Sequence, residues 1–315
     1  MTGASGFVGS HAVAALRAAG HEPVALVRNP EKARKVLGDV ELCEADIRDA
    51  TAVKKGLERG EAVLHAAAEI GVLGGGQDLA GTNVAGLRNV LGQAVELGLD
   101  PIVHVSTIAV FVPPETAVIT TESRFGSPRN DYGRTKLAGE LYARELQAKG
   151  ALVTIFYPGG VAGPDQPALD ALNEGLVSGV RLGWPMTKGG VGLVDVRDLA
   201  LLLANAMKPG AGPRKYMIGG YFLTWGELAD LCDEVTGRRC RRYPAPAPVL
   251  RAMAVALDLV KKVAPIRYPL TRDAAEMMVS MVRTHDDLDD LGVRLRPPRE
   301  TLADTIAWLQ AEGHL

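Results

Sequence analysis

Short apolar runs alternate with amphipathic stretches from Phe7 to about Asp198. The runs "PVALV" (23–27), "VELC" (40–43), "AVLHAA" (62–67), "PIVHVS" (101–106) and "LVTIFY" (152–157) are rich in Val and Ile and too short for helices, so they predict buried strands. Between them apolar positions recur at helical spacing, which predicts helices over 10–19, 30–37, 50–58, 83–97 and 131–149. Strands that alternate with helices predict an α/β fold: a doubly wound parallel sheet covered on both faces, with right-handed crossovers. Ligands in such folds bind at the carboxyl ends of the strands, so the turns that follow the strands carry the chemistry.

After Pro158 the pattern changes to Gly- and Pro-rich loops, a short apolar segment "VGLVDV" (191–196), and helices over 197–207, 224–236, 247–263, 271–282 and 299–311. This predicts a smaller, mostly helical lobe over the strand ends. Residues 1–157 form the first lobe, with 190–220 returning to it, and 158–189 with 221–315 form the second. The segments 69–77, 111–126 and 164–190 are read as loops around a pocket.

The opening "TGASGFVGS" places Gly3, Gly6 and Gly9 at G-x-x-G-x-x-G spacing, with Ser5, Phe7 and Val8 between them and an apolar helix pattern following. Side chains would keep a phosphate from the backbone, and a helix N-terminus offers free N–H groups with a partial positive charge. Such a turn suits a pyrophosphate. It also requires a central strand ahead of it, and only Met1 and Thr2 stand there. The first strand is therefore expected to be truncated, with the natural start lying upstream of Met1.

The run "PVALV" leads into Arg28 in "ALVRNPEKA", where a dinucleotide site uses an acidic residue for a ribose 2′-hydroxyl or an arginine for a 2′-phosphate. No carboxylate precedes Glu31, so NADP(H) is favoured with Lys32 as a second cation, and NAD(H) stays as the alternative. "ADIRD" places Asp46 and Ile47 at an adenine pocket and Asp49 at a helix N-cap. "HAAA" offers Ala66, Ala67 and Ala68 as small residues against which a cofactor can lie.

Tyr132 and Lys136 in "DYGRTKLAGE" are one turn apart on one helix face, and Ser106 and Thr107 stand at the end of the run "PIVHVS", on the same sheet edge. A carbonyl that accepts hydride needs a proton donor at the developing alkoxide. Tyrosine, with an ordinary pKa of about 10, needs a neighbouring cation for that task. Lys136 can supply it, and Thr107 or Ser106 can hold the substrate oxygen.

Of 315 residues, 47% are hydrophobic and 23% charged, and the net charge is -2, which suits a soluble globular chain and gives no pull toward nucleic acid. Cys43, Cys232 and Cys240 show neither disulfide nor zinc spacing, so no metal is expected and a reducing cytoplasm fits best. No apolar run reaches the roughly 20 residues that span a bilayer, so no stable membrane anchor is expected.

Together "TGASGFVG", "ADIRD", "HAAA", "TNVAGLRNVL", "VSTIAVF", "YGRTK", "PGGVAGP" and "VDVRDLA" resemble, in order and spacing, the extended short-chain dehydrogenase/reductase family, also called the NAD-dependent epimerase/dehydratase family. The resemblance implies a Rossmann sheet and a pyrophosphate turn at Gly3, Gly6 and Gly9. It makes Tyr132 the general acid/base and Lys136 the residue that binds the nicotinamide ribose and lowers the tyrosine pKa. It also implies Thr107 as the triad hydroxyl with Ser106 beside it, Asn83 near the nicotinamide and substrate pocket, and Pro158 and Gly159 packing on the nicotinamide. Tyr157 stands where the family often has Arg, and Phe111 where it often has Tyr, departures that weaken a nucleotide-sugar substrate. The chain looks most like the dihydroflavonol reductase and 3β-hydroxysteroid dehydrogenase branch, which implies a carbonyl or secondary alcohol on an apolar small molecule. The alternatives are an epimerase or dehydratase, or a non-catalytic NADP sensor. A homodimer through helices 83–97 and 131–149 is also implied.

Overall fold

The computed structural model of the chain describes residues 1–69, 78–128, 131–260, 270 and 272–315. In chain order its strands are β1 (Val24–Val27), β2 (Glu41–Glu44), β3 (Val63–His65), β4 (Ile102–Val105), β5 (Val118–Ile119), β6 (Val153–Pro158), β7 (Gly160–Ala162), β8 (Trp184–Met186), β9 (Gly190–Asp195), β10 (Arg214–Ile218), β11 (Tyr221–Thr224), β12 (Arg242–Pro244) and β13 (Arg283–Thr284). Its helices are α1 (Phe7–Ala18), α2 (Pro30–Leu37), α3 (Ala50–Leu57), α4 (Leu87–Glu96), α5 (Asp131–Ala148), α6 (Ala171–Leu182), α7 (Val196–Asn205), α8 (Trp225–Thr236), α9 (Ala247–Val260), α10 (Arg272–Ser280) and α11 (Pro298–Ala311).

The main sheet is parallel and runs β2, β1, Thr2, β3, β4, β6, β10. Thr2 bridges Leu26 on one side and His65 on the other, so Met1 and Thr2 lie in the central lane where the sequence left a strand short. Leu26 N donates to Met1 O at 2.8 Å, Thr2 N to Leu64 O at 3.0 Å and Ala66 N to Thr2 O at 3.2 Å. Every residue of β6 is buried, as an interior strand covered on both faces requires. On one face Val90, Leu91 and Ala94 of α4 and Ala143 and Leu146 of α5 pack on Ile102, Val153 and Ile155. On the other, Leu16 of α1 and Leu199, Leu202 and Leu203 of α7 pack on Leu64, Val103 and Phe156. β10 extends the sheet at β6.

Asn29, Asp49, Asp170 and Asp195 each accept a backbone N–H at a helix start, and Thr224 and Glu227 form a reciprocal capping box. These side chains fix where each helix leaves its strand. A second core gathers Trp184, Leu193, Trp225, Leu228, Leu302 and Ile306, with the two indoles stacked at 6.3 Å.

Three expectations need correction. The first helix starts at Phe7, not residue 10, because Gly6 in extended conformation is its N-cap. The stretch 164–190, read as loop, contains α6 and β8. The second lobe also holds strands, β7 and β11 paired with β9 of the returning segment and β12 paired with β8, so it is less helical than its pattern implied. Helix 83–97 is entered through a π-helical turn, Gly81–Gly86. The expected helix 247–263 is seen to Val260, and its last three residues lie outside the described ones, as do 70–77 of the first pocket loop. Among the described residues no helix is long and apolar enough to cross a membrane.

Candidate active site

The opening glycines form a tight turn in which Gly6 N donates to Gly3 O at 3.0 Å, and Gly3 has φ +70°, a conformation glycine adopts without strain. A Cβ on Gly9 would stand 1.9 Å from Gly3 O, and one on Gly3 would stand 2.5 Å from Ala67 N. The turn, α1 and the "HAAA" segment are thus pressed together with no space for side chains. No side chain caps α1 and no acidic residue lies in its first turn, so its leading N–H groups remain for an anion. These features fit a pyrophosphate. Ser5, Phe7 and Val8 are half-buried around the turn, and Phe7 meets His11 edge-on. Ala66 and Ala67 are half-buried and Ala68 exposed.

Arg28 follows β1 with a side chain 61% exposed, its Nη1 3.4 Å from Glu69 Oε1. Asp46 lies near it and is held below the usual carboxylate range, first by its hydrogen bonds from Arg48. Arg48 grips both oxygens of Asp46, and Ile47 is buried, so close to Gly86 that a Cβ there would meet it at 2.6 Å. Asp49 caps α3 as expected.

Asn83 is buried in the π-helical turn, and both ends of its amide are used. Its Oδ1 accepts from Glu69 N at 2.9 Å, while Nδ2 donates to Glu69 O at 2.9 Å and to Thr135 Oγ1 at 3.2 Å. It therefore joins the segment after β3 to α5. This contact was not legible from the motif.

α5 carries Tyr132, half-buried in its first turn, and Lys136, 6% exposed one turn later. The helix packs against the short 3-10 turn Ile108–Phe111, which Thr107 heads by accepting from Ala109 N at 3.2 Å. Because that hydroxyl acts as acceptor toward its own turn, its O–H is left to donate elsewhere. Ser106 is anchored through its N–H to Phe156 O at 2.8 Å, and its buried Oγ has no partner among the described residues. Ser106 and Thr107 therefore stand at the carboxyl edge of β4, in a stretch packed against the helix that carries Tyr132 and Lys136. Pro158 closes β6 there, and Gly159 N donates to Ile218 O at 2.8 Å.

Burial lowers the Lys136 ammonium to about 8, and the Glu140 carboxylate works against that drop. Beneath it His65 and His104 stack at 5.4 Å, paired across β3 and β4. Burial, then the Lys136 charge, brings His65 down to about 3 and His104 well below its ordinary range, so both are neutral. His65 Nδ1 meets Thr2 Oγ1 at 2.7 Å. The histidines sat unnoticed inside "AVLHAA" and "PIVHVS"; a polar residue at matching places in two apolar runs was the available signal.

A model of the NAD-dependent epimerase/dehydratase family matches residues 1–219. Sterol demethylase protein B of Methylococcus capsulatus is 28% identical, over 99% of this chain and 98% of that protein. Cinnamoyl-CoA reductase 1 of Arabidopsis thaliana is 25% identical over 100% of this chain and 90% of that protein. The crystal structure of gox2253 superposes with a TM-score of 0.82 at 23% identity, covering 100% of this chain and 98% of that one. The UDP-glucose 4-epimerase from Bifidobacterium longum, solved with NAD+ and UDP, gives 0.73 at 16% identity over 99% and 98%. At these identities the structural likeness speaks to the Rossmann fold.

Proposed function

The chain belongs to the NAD-dependent epimerase/dehydratase family, whose members are NAD(P)-dependent enzymes, and within it we propose an NADP(H)-dependent oxidoreductase that interconverts a carbonyl and a secondary alcohol on an apolar small molecule. The observation that carries this reading is Lys136. It is a buried ammonium one helical turn from Tyr132, on a helix packed against the turn that Thr107 heads. A nicotinamide cofactor bound at the Gly3–Gly9 turn supplies the hydride.

Everything else is the work of the chain. Thr107, with Ser106 behind it, donates a hydrogen bond to the substrate oxygen and fixes its position. Tyr132 gives its phenolic proton to that oxygen as charge develops there, and Lys136 stabilises the phenolate left behind. In the oxidative direction the same groups act in reverse. Sterol demethylase protein B, matched over nearly its whole length, acts on sterols by its name, which supports an apolar substrate. A sensor on this fold would have no need of a proton donor such as Tyr132.

Arg28 is the basis for NADP(H). Its mostly exposed guanidinium stands at the end of β1, where it can meet a 2′-phosphate with two donors. NAD(H) has one observation in its favour, the Glu69 carboxylate already beside that guanidinium. A fluorescence titration with NADPH and NADH side by side tests the choice. The wild type is expected to prefer NADPH, and Arg28→Ala to weaken NADPH binding roughly tenfold or more while leaving NADH within about twofold, since a lost charged hydrogen bond costs about 1.5–3 kcal/mol. Preference for NADH in the wild type would reverse the assignment. NADPH-dependent consumption of a panel of apolar ketones and aldehydes then tests the reaction.

The proposed assembly is a homodimer through α4 and α5. On α5 Leu141 is 52% exposed, and Arg88 of α4 lies over the Tyr142 ring at 4.5 Å. Light scattering should return the mass of two chains, and Leu141→Glu should shift it toward one.

A further inference from the structure

Glu140 follows Lys136 by one turn of α5 and is completely buried. A carboxylate withdrawn from water needs donors or positive charge around it. Tyr157, near the end of β6, donates its hydroxyl proton to Glu140 Oε1 at 2.5 Å, and Arg144 Nε donates to the same oxygen at 2.9 Å. The Arg144 Nη2 reaches on to Thr121 O at 2.8 Å, in the segment after Thr107. Three stretches that carry site residues therefore meet at this carboxylate: α5, the β6 end that leads into Pro158–Gly159, and the 111–126 segment.

Both of these bonds use Oε1. Glu140 Oε2 is buried with no hydrogen-bond partner among the described residues, and Glu140 and Lys136, four apart, share a helix face. A carboxylate needed only as a strut would be expected to use both oxygens. We propose that Glu140 is the positioning residue of Lys136: a fixed buried negative charge that keeps the ammonium protonated beside Tyr132, held in place by Arg144 and Tyr157. This rests on the reading of Tyr132 and Lys136 as the catalytic pair. Besides Tyr132, its proposed partner on α5, the titratable groups facing Lys136 are His65 from β3 and His104 from β4, and neither histidine carries charge at neutral pH. The counter-charge thus comes from Glu140, which Arg144 pairs with at 2.9 Å through Oε1. The departure at Tyr157 gains a meaning from this geometry. A neutral hydroxyl on the strand satisfies Oε1 without adding a second cation next to Lys136.

The test is a pH titration of the Lys136 side chain by nuclear magnetic resonance in protein labelled with [ε-13C]lysine, the signal assigned through Lys136→Arg, with no substrate or cofactor present. The wild-type midpoint is expected at about 8. Glu140→Gln, which keeps shape and removes charge, is expected to lower it by about one unit or more, as loss of a neighbouring opposite charge does. Tyr157→Phe, which leaves the carboxylate in place, should move it by no more than a few tenths, roughly, and Glu140→Asp should restore most of the wild-type value. The alkaline limb of kcat/KM should shift with the midpoint. If Glu140→Gln does not fold, the double variant Glu140→Leu, Tyr157→Phe removes the charge together with a polar partner and gives the same readout. A midpoint unmoved by loss of the charge overturns the proposal and leaves Glu140 a strut. Absence of carbonyl turnover in a wild type whose Lys136 midpoint does respond to Glu140→Gln would overturn the oxidoreductase reading instead.

Discussion

Tyr132→Phe is expected to lower kcat by about 10²–10⁴-fold, the usual contribution of a positioned general acid, while NADPH binding stays within about twofold of the wild type. The substitution removes one oxygen from a half-buried side chain in the first turn of α5. Helix and packing should survive it, so circular dichroism and thermal unfolding should match the wild type. The accompanying pH profile has a definite sign. Lys136 is a cation below its pKa of about 8 and neutral above it. Its help to the Tyr132 phenolate is therefore present at neutral pH and lost as pH rises through about 8, and kcat/KM for carbonyl reduction should fall along that limb. Lys136→Met should lower kcat at neutral pH and remove that limb. Unchanged turnover in Tyr132→Phe would end the acid/base assignment, whatever the cofactor data show.

The parts of the site that were legible in the sequence are those whose chemistry is local. Gly3, Gly6 and Gly9 declare a close backbone approach by their spacing, and Tyr132 and Lys136 share a helix face because they are four apart. Helix 30–37 is found as read, since Asn29 and Pro30 mark its start and Gly38 its end. What escaped depends on distant segments meeting. α6 was hidden because Gly175 and Gly179 interrupt its interior with poor helix formers. Gly179 is needed there, since a Cβ would stand 2.4 Å from the Trp184 ring. The second-lobe strands are two to six residues long and pair with remote partners, so no periodicity announces them. The stacked His65 and His104 arise from strand register, which a single run of sequence does not display.

The same distinction separates the two sides of the site. The Tyr132–Lys136 side depends on tertiary support: Asn83 reaching Thr135 and Glu69, Thr107 heading its turn, Arg144 and Tyr157 meeting at Glu140. The glycine side depends on backbone proximity alone, and one methyl group can test it.

Gly9→Ala is expected to be among the most damaging single substitutions in the chain. The added Cβ would lie 1.9 Å from Gly3 O, 2.7 Å from Gly3 C and 2.9 Å from the Ala4 Cα, all backbone atoms that cannot turn aside like a flexible side chain. Either α1 or the turn must move, and the turn is already wedged against Ala66 and Ala67. A loss of roughly 3 kcal/mol or more in stability is expected, in the range of severe overpacking, together with a fall of at least about 100-fold in NADPH affinity. Gly6→Ala provides the contrast. Its Cβ would stand 3.3 Å from Gly3 O, its backbone is extended, and it is exposed at the α1 N-terminus. That variant should unfold within about 1 kcal/mol of the wild type. It should still bind NADPH at least about tenfold less tightly, because a methyl group then stands before the N–H groups an anion would approach. Chemical denaturation and fluorescence titration of the two variants separate the fold from the binding. Should Gly6→Ala bind NADPH as the wild type does, the pyrophosphate does not rest on this turn; should Gly9→Ala keep both stability and binding, the close approach of α1 to the turn has no part in either.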